Sequence, residues 1–177
     1  MLRFLPFVVA IAGFVAQPAS AQEVYGGIYA HGVDTPFTLD TGEGGTAVQL
    51  GYRFAPVELP LIGGPEPYVF ASVNLDGDTS FAGAGLSWKA QIGPVYLRPG
   101  LGLVIHNAPS LRVNSATNER TDLGSRILFE PEIALGIQAT PRLSVEASWV
   151  HISNARLFNR AQNPGIDTIG LRLNWRM

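Results

Sequence analysis

The chain contains no cysteine. An exported protein of this size without disulfides must draw its rigidity from a large core or from a lipid environment. Charge is also scarce: 15% of the residues are Asp, Glu, Lys or Arg, against about 25% in ordinary soluble domains. The net value of −2 excludes a general nucleic-acid binder, which would present a basic surface. Long apolar runs are missing after residue 21. A membrane helix needs about 20 apolar residues in a row, so that part of the chain has no candidate spanning helix. The three histidines, His31, His106 and His151, share no ligand spacing, so neither a metal nor another cofactor is expected.

What is present reads differently at the two ends. Residues 1–21 carry Arg3, an apolar stretch from Phe4 to Val15, and the small-x-small pattern Ala19-Ser20-Ala21. This is the pattern of a secretory signal peptide, with cleavage expected after Ala21, and the apolar stretch is too short for an anchor. Residues 22–177 are then expected to form one domain beyond a bacterial inner membrane. Low charge, 20 glycines and 10% aromatic residues, with no apolar 20-mer, point to a transmembrane β-barrel.

The periodicity agrees. Period-2 alternation runs through 24–32, 45–54, 67–76, 80–90, 94–106, 126–139, 142–153 and 167–177, eight segments separated by turn residues. The predicted fold is an all-β, eight-stranded antiparallel transmembrane barrel. Along 94–106, Val95, Leu97, Leu101, Leu103 and Ile105 share one face, while Tyr96, Arg98, Gly100, Gly102 and His106 share the other. Along 126–139, Ile127, Phe129, Ile133, Leu135 and Ile137 oppose Glu130, Glu132, Gly136 and Gln138. A soluble, lipocalin-like barrel would turn its apolar face inward. Here the polar face is too small and too charged for an oily core, so it lines a filled lumen and the apolar face meets lipid. Glu130 and Glu132 are expected to pair there with Arg98, Arg172 and Arg176. Trp88, Trp149, Trp175, Tyr25 and Tyr68 suit the aromatic girdles. Connections at 55–66, 91–93 and 140–141 fall on the periplasmic side, the first long for such a turn but rich in proline and glycine, and those at 33–44, 77–79, 107–125 and 154–166 fall on the outside.

One face breaks the pattern. Along 142–153 the odd positions, Leu143, Val145, Ala147 and Trp149, continue into His151 and Ser153. In the last segment Asp167 has the parity of Ile169, Leu171, Leu173 and Trp175. If these segments form a hairpin, Asp167 comes near His151 on the outside of the barrel. Polar groups on a lipid-facing wall carry a cost that falls to about 0–1 kcal/mol near the interface. Their chemistry suggests a use. A serine hydroxyl becomes nucleophilic when a histidine takes its proton, and a carboxylate fixes the imidazole. A hydrolase facing lipid would act on an ester carried by a lipid. A lone His-x-Ser at a strand end is more often interface decoration and a turn cap; an acid of matching parity across a hairpin strengthens the catalytic reading.

His151-Ile152-Ser153-Asn154-Ala155, followed by Asn163-Pro164-Gly165-Ile166-Asp167, resembles the signature of the outer-membrane lipid A 3-O-deacylases of the PagL type. The resemblance implies removal of the 3-hydroxyacyl chain esterified at position 3 of lipid A. It makes Ser153 the nucleophile, His151 the base and Asp167 the acid. The oxyanion would be held by the Asn154 side chain and the backbone N–H of Arg156. Two departures stand out: the acid is often a glutamate in that family, one methylene longer, and Arg156 occupies a position that is often glycine. Arg156, Arg160 and Trp149 are candidate substrate contacts. The two arginines, with Arg112, Arg120 and Arg126, sit at the outer rim where lipid A phosphates would lie. The expected setting is the bacterial outer membrane, with the site facing the outer leaflet, lipopolysaccharide as substrate, membrane lipid as surroundings and no nucleic acid. A homodimer is left open. Two other readings stand beside this one: a non-enzymatic barrel serving membrane stability or adhesion, and a different membrane acyl hydrolase or transferase.

Overall fold

The computed structural model describes residues 22–177 except 39–40, 110, 114–119, 156 and 158–163; the expected signal peptide therefore lies outside the described residues. The strands are β1 (Glu23–His31), β2 (Thr46–Arg53), β3 (Glu66–Asn74), β4 (Phe81–Ser87), β5 (Ala90–Ile92), β6 (Val95–His106), β7 (Arg112–Val113), β8 (Arg120–Thr121), β9 (Ile127–Gln138), β10 (Leu143–Ser153) and β11 (Gly165–Arg176). Each long strand pairs antiparallel with its sequence neighbour, and β1 pairs with β11. β4 and β5 both pair with β6 in one continuous register. They act as one strand, interrupted at Trp88–Lys89 opposite Arg98–Pro99, where Pro99 has no N–H to give the ladder. The result is a closed, eight-stranded antiparallel barrel, which is how strands cross lipid.

The alternation expected from sequence is the alternation observed. Ile28, Leu50, Leu101, Ile105, Leu135, Leu171 and Leu173 are exposed on the outer wall, while Arg53, Arg98, Glu130, Glu146 and Arg172 are buried inside it. The lumen is filled rather than open. Arg172 donates to Glu132 at 2.9 and 3.2 Å and also to Glu146. Arg98 donates to Glu23 at 2.9 Å and lies 3.4 Å from Glu146. Arg53 donates to Asn174 at 2.8 Å and lies 3.8 Å from both Glu132 and Glu146. Of the pairings expected, Glu132 with Arg172 is present. Glu130 instead accepts from the Tyr68 hydroxyl, and Arg176 approaches Glu23 at 3.8 Å.

Two sequence expectations need correction. Tyr25 and Tyr68 are not in an aromatic girdle; both are buried in the lumen. Arg53 lies 4.2 Å over the Tyr25 ring, and the Tyr68 hydroxyl serves Glu130, so each finds a charged partner that the lipid side does not offer. The glycine-rich inner face is their counterpart. A Cβ on Gly136, for example, would lie 2.1 Å from the Tyr96 ring, so tyrosines lie flat where neighbouring strands have no side chain. The second correction is the start of the last strand, which is Gly165 rather than Asp167. Asn163-Pro164-Gly165 reads as a turn, but Pro164 suits a strand entrance. The outer 107–125 connection also contains a small hairpin, β7 with β8, which alternation alone does not reveal.

Candidate active site

The site sits at the outer ends of β10 and β11. The β10–β11 ladder is unbroken there, with His151 opposite Asp167 and Ser153 opposite Gly165. The β9–β10 ladder is not: pairing stops after Val150–Glu132 and resumes at Ser153–Phe129. The gap falls opposite Glu130 and Pro131, and Pro131 again withholds an N–H. Beneath the site Val150, Ile152 and Ile166 point inward and join Val104, Leu123 and Leu128 in an apolar cluster. That cluster packs beneath the backbone carrying the functional side chains.

His151 and Ser153 share the parity of the exposed Val145 and Ala147, and Asp167 that of Ile169 and Leu171. The three side chains therefore lie together on the outer wall. His151 Nδ1–H donates to Asp167 Oδ1 at 2.7 Å. The Cε1–Nε2 edge of the ring extends over Gly165, the cross-strand partner of Ser153. A Cβ on Gly165 would lie 2.4 Å from Cε1 and 3.1 Å from Nε2. The imidazole can lie along the strand pair only because residue 165 has no side chain. Among the described contacts Ser153 makes no hydrogen bond to His151. The two are held on one face, two residues apart, and bonds of this kind often tighten only around substrate.

Despite its position on the outer wall the trio is buried. Asp167 is fully enclosed, and His151 and Ser153 are 8% and 5% exposed. Part of the cover is the connection after β1. Val33 N–H donates to the Asp167 carbonyl at 3.0 Å, the Thr35 hydroxyl donates to Asp167 Oδ2, and Phe37 packs on Trp149 with ring centroids 5.7 Å apart. Trp149 lies beside His151 at 6.0 Å, and its indole N–H donates to Asp167 Oδ1 at 2.9 Å. The Trp149 side chain thus supports the acid. Thr35 and Phe37 carry no sequence signal beyond a polar and an aromatic residue flanking Pro36 in an outer connection.

Immediately after Ser153 the chain turns sharply. Ala155 has φ of 52°, and Leu157 N–H donates to the Asn154 carbonyl at 3.0 Å. The left-handed residue is thus Ala155, a conformation that costs an L-residue roughly 1–2 kcal/mol. Asn154 is fully buried, and its Nδ2 donates one hydrogen to the Leu123 carbonyl at 3.0 Å. Arg156 and Arg160 lie outside the described residues. Arg126 braces the base of the long outer loop, donating to the carbonyls of Ala108 at 2.8 Å and His106 at 3.3 Å. Among the described residues no group of three His, Asp or Glu could hold a metal ion.

A closed eight-stranded barrel with an apolar outer wall, a salt-bridged lumen and a buried His–Asp couple beside a serine defines a small outer-membrane barrel with an enzyme-like site. Its identity within that class follows from sequence: the profile of the lipid A 3-O-deacylase (PagL) family matches residues 68–176, and the chain belongs to that family. Comparison with curated proteins gives no match. Among solved structures, the chain resembles the outer membrane enzyme PagL with a TM-score of 0.59 at 17% identity, covering 88% of this chain and 99% of that one. It also resembles Neisserial surface protein A (NspA), TM-score 0.58 at 10% identity over 91% and 100% of the chains. The N-terminal β-barrel domain of Pseudomonas aeruginosa OprF gives a TM-score of 0.56 at 11% identity over 89% and 100%. At these identities the structural likenesses establish the outer-membrane barrel fold. They lend no support to a homodimer.

Proposed function

We propose that this chain hydrolyses the ester at position 3 of lipid A by serine-type covalent catalysis, with Ser153 as nucleophile, His151 as general base and Asp167 as the acid that orients it. The observation that carries this reading is the 2.7 Å bond from His151 Nδ1 to Asp167, made on the outward face with the other edge of the ring extended toward the level of Ser153. With Nδ1–H committed to the carboxylate, Nε2 is the basic nitrogen.

In the proposed reaction Nε2 takes the proton from Ser153 Oγ as Oγ bonds to the ester carbonyl carbon. The tetrahedral intermediate collapses, the C–O bond to position 3 of the sugar breaks, and His151 returns the proton to the departing oxygen. Water then attacks the acyl-serine with the same base, releasing the 3-hydroxy fatty acid and restoring Ser153. Asp167 stabilises the imidazolium formed in each half. The Asn154 side chain and the backbone N–H of Arg156 are the proposed oxyanion donors. Trp149, Arg156 and Arg160 are the proposed contacts to the lipid, the arginines toward its phosphates. The site faces the outer leaflet, where the acyl chains of lipid A lie against the apolar wall below it.

Mass spectrometry of lipid A from cells expressing the protein tests this directly. The parent should release one 3-hydroxyacyl chain. Ser153→Ala and His151→Ala should reach the outer membrane folded and leave lipid A fully acylated. Release of the chain by folded Ser153→Ala would remove Ser153 as nucleophile.

A further inference from the structure

Asp167 is shorter by one methylene than the glutamate its position often carries, yet both of its carboxylate oxygens are engaged. Oδ1 accepts from His151 Nδ1 at 2.7 Å and from Trp149 Nε1 at 2.9 Å. Oδ2 accepts from the Thr35 hydroxyl, which comes from a connection 132 residues away in sequence. Three elements thus converge on one buried carboxylate: β11 supplies it, β10 supplies Trp149, and the connection after β1 supplies Thr35. That connection is itself fastened at two further points, by Val33 N–H to the Asp167 carbonyl and by Phe37 on the Trp149 ring.

We infer that Thr35 and Trp149 are positioning residues: their two neutral donors clamp the Asp167 carboxylate in the plane where it meets His151 and set how strongly it attracts the imidazole proton. This rests on the triad reading above and extends it to two groups, the Thr35 hydroxyl and the Trp149 indole N–H, that act through Asp167 rather than on the reacting ester. A carboxylate is an acceptor with about four lone-pair sites. Each donor that occupies one fixes its orientation and draws off part of its charge. Two neutral donors therefore do two things. They stop the short side chain from rotating away from Nδ1, and they moderate the carboxylate's pull on that hydrogen. Because the donors are neutral, they add no charge beside His151. Most titratable groups on the surrounding described elements are engaged elsewhere, Glu146 on β10 and Arg172 on β11 with each other in the lumen. Glu130 and Glu132 on β9 face the lumen, where they are held by Tyr68 and Arg172. His31 at the end of β1 is buried against Glu43 at 2.9 Å. Asp34 is exposed, next to Thr35.

The proposal has a consequence of definite sign. Removing the Thr35 hydroxyl leaves the carboxylate a stronger acceptor for His151 Nδ1–H, which favours the imidazolium. The base is then free only at higher pH, so the rising limb of the rate profile moves upward. Looser orientation lowers turnover without altering lipid binding.

The test uses the full-length protein in lipopolysaccharide-containing vesicles, with initial rates of fatty-acid release measured across pH. Thr35→Val keeps the shape and removes the hydroxyl; Thr35→Ser keeps the hydroxyl. Thr35→Val should lose roughly tenfold in kcat with KM unchanged, and its rising limb should shift to higher pH. Thr35→Ser should restore both. Trp149→Phe keeps a ring and removes the N–H, and should shift the limb in the same direction. Asp167→Asn is the reference. If it retains full activity, the triad reading fails. If it is inactive while folded Thr35→Val keeps the parent kcat and pH profile, the clamp alone is overturned. A loss in Thr35→Val that appears without a pH shift and is not rescued by Thr35→Ser also overturns it, since that is what loop packing alone would produce.

Discussion

Two of the places where the barrel buries charge are built on different rules. In the lumen, full charges oppose full charges with redundancy: Glu146 lies within reach of Arg53, Arg98 and Arg172, and Glu132 of Arg53 and Arg172. On the outer wall one carboxylate meets one imidazole, and its other side-chain donors are an indole N–H and a hydroxyl. A lattice of opposite charges fixes its members against one another, which suits a rigid filling. A lone carboxylate whose other donors are neutral is turned toward a single imidazole, which suits positioning rather than filling. The salt-bridged network and the His151–Asp167 couple thus lie on opposite faces of the same strands, β10 and β11.

The sharpest way to break this comparison is at Arg172, which donates to both Glu132 and Glu146 in the lumen. Arg172→Met removes the guanidinium from between Glu132 and Glu146 and leaves two buried carboxylates to repel one another. Breaking a buried ionic group on one side typically costs about 3–5 kcal/mol. The expected result is a large fall in the urea midpoint for the barrel in lipid vesicles, with the folded fraction still deacylating lipid A at close to the parent rate. An unchanged midpoint would mean that the lumen network fills space without holding the barrel.

The second break lies at Gly165, on the outer wall. Gly165→Ala places a methyl 2.4 Å from His151 Cε1, so the ring must swing off the strand pair. Misplacement on the scale of 1 Å is worth up to about 10²-fold in rate. Activity should fall by roughly that factor while the urea midpoint barely moves, the reverse of the Arg172 result. If deacylation rates for Gly165→Ala match the parent, the ring is not held in its working position by that gap.

These two regions also differ in how far they could be read from sequence. The wall and the lumen follow from period-2 alternation, because every residue of a barrel strand has only two places to go. For the same reason the shared face of His151, Ser153 and Asp167 follows from parity, and the register that pairs His151 with Asp167 matches it. What alternation cannot carry is contact between distant segments. Arg53, Glu23 and Glu146 enter the lumen network from strands where each looks like an isolated charge. Thr35 reaches Asp167 across the β1–β11 seam with no local pattern to announce it. Tyr25 and Tyr68 have side chains that suit a girdle or a polar lumen equally. Only the glycines on neighbouring strands decide for the lumen, and that requires the register. The interruptions opposite Pro99 and Pro131 are written in the sequence as prolines within strands, yet which partner loses its bond depends on the pairing.

The smallest expected effect concerns strain rather than charge. Ala155 holds φ of 52° directly after Ser153 and Asn154, in a turn closed by Leu157 N–H on the Asn154 carbonyl. Its side chain is exposed, so few contacts offset the left-handed backbone. Nothing comparable strains a non-glycine residue within the lumen-lining strands. Glycine adopts this conformation freely, at the expense of a more flexible unfolded chain. Ala155→Gly should therefore raise stability by about 0.5–1 kcal/mol, read as a small upward shift of the urea midpoint, with deacylation within twofold of the parent. The two readouts separate two roles for the turn. If the midpoint rises while activity drops well beyond twofold, the strained alanine is itself restricting the turn that presents Asn154 and the following N–H. If the midpoint falls, the methyl group makes contacts worth more than the strain, and the outer site is no less relaxed than the lumen.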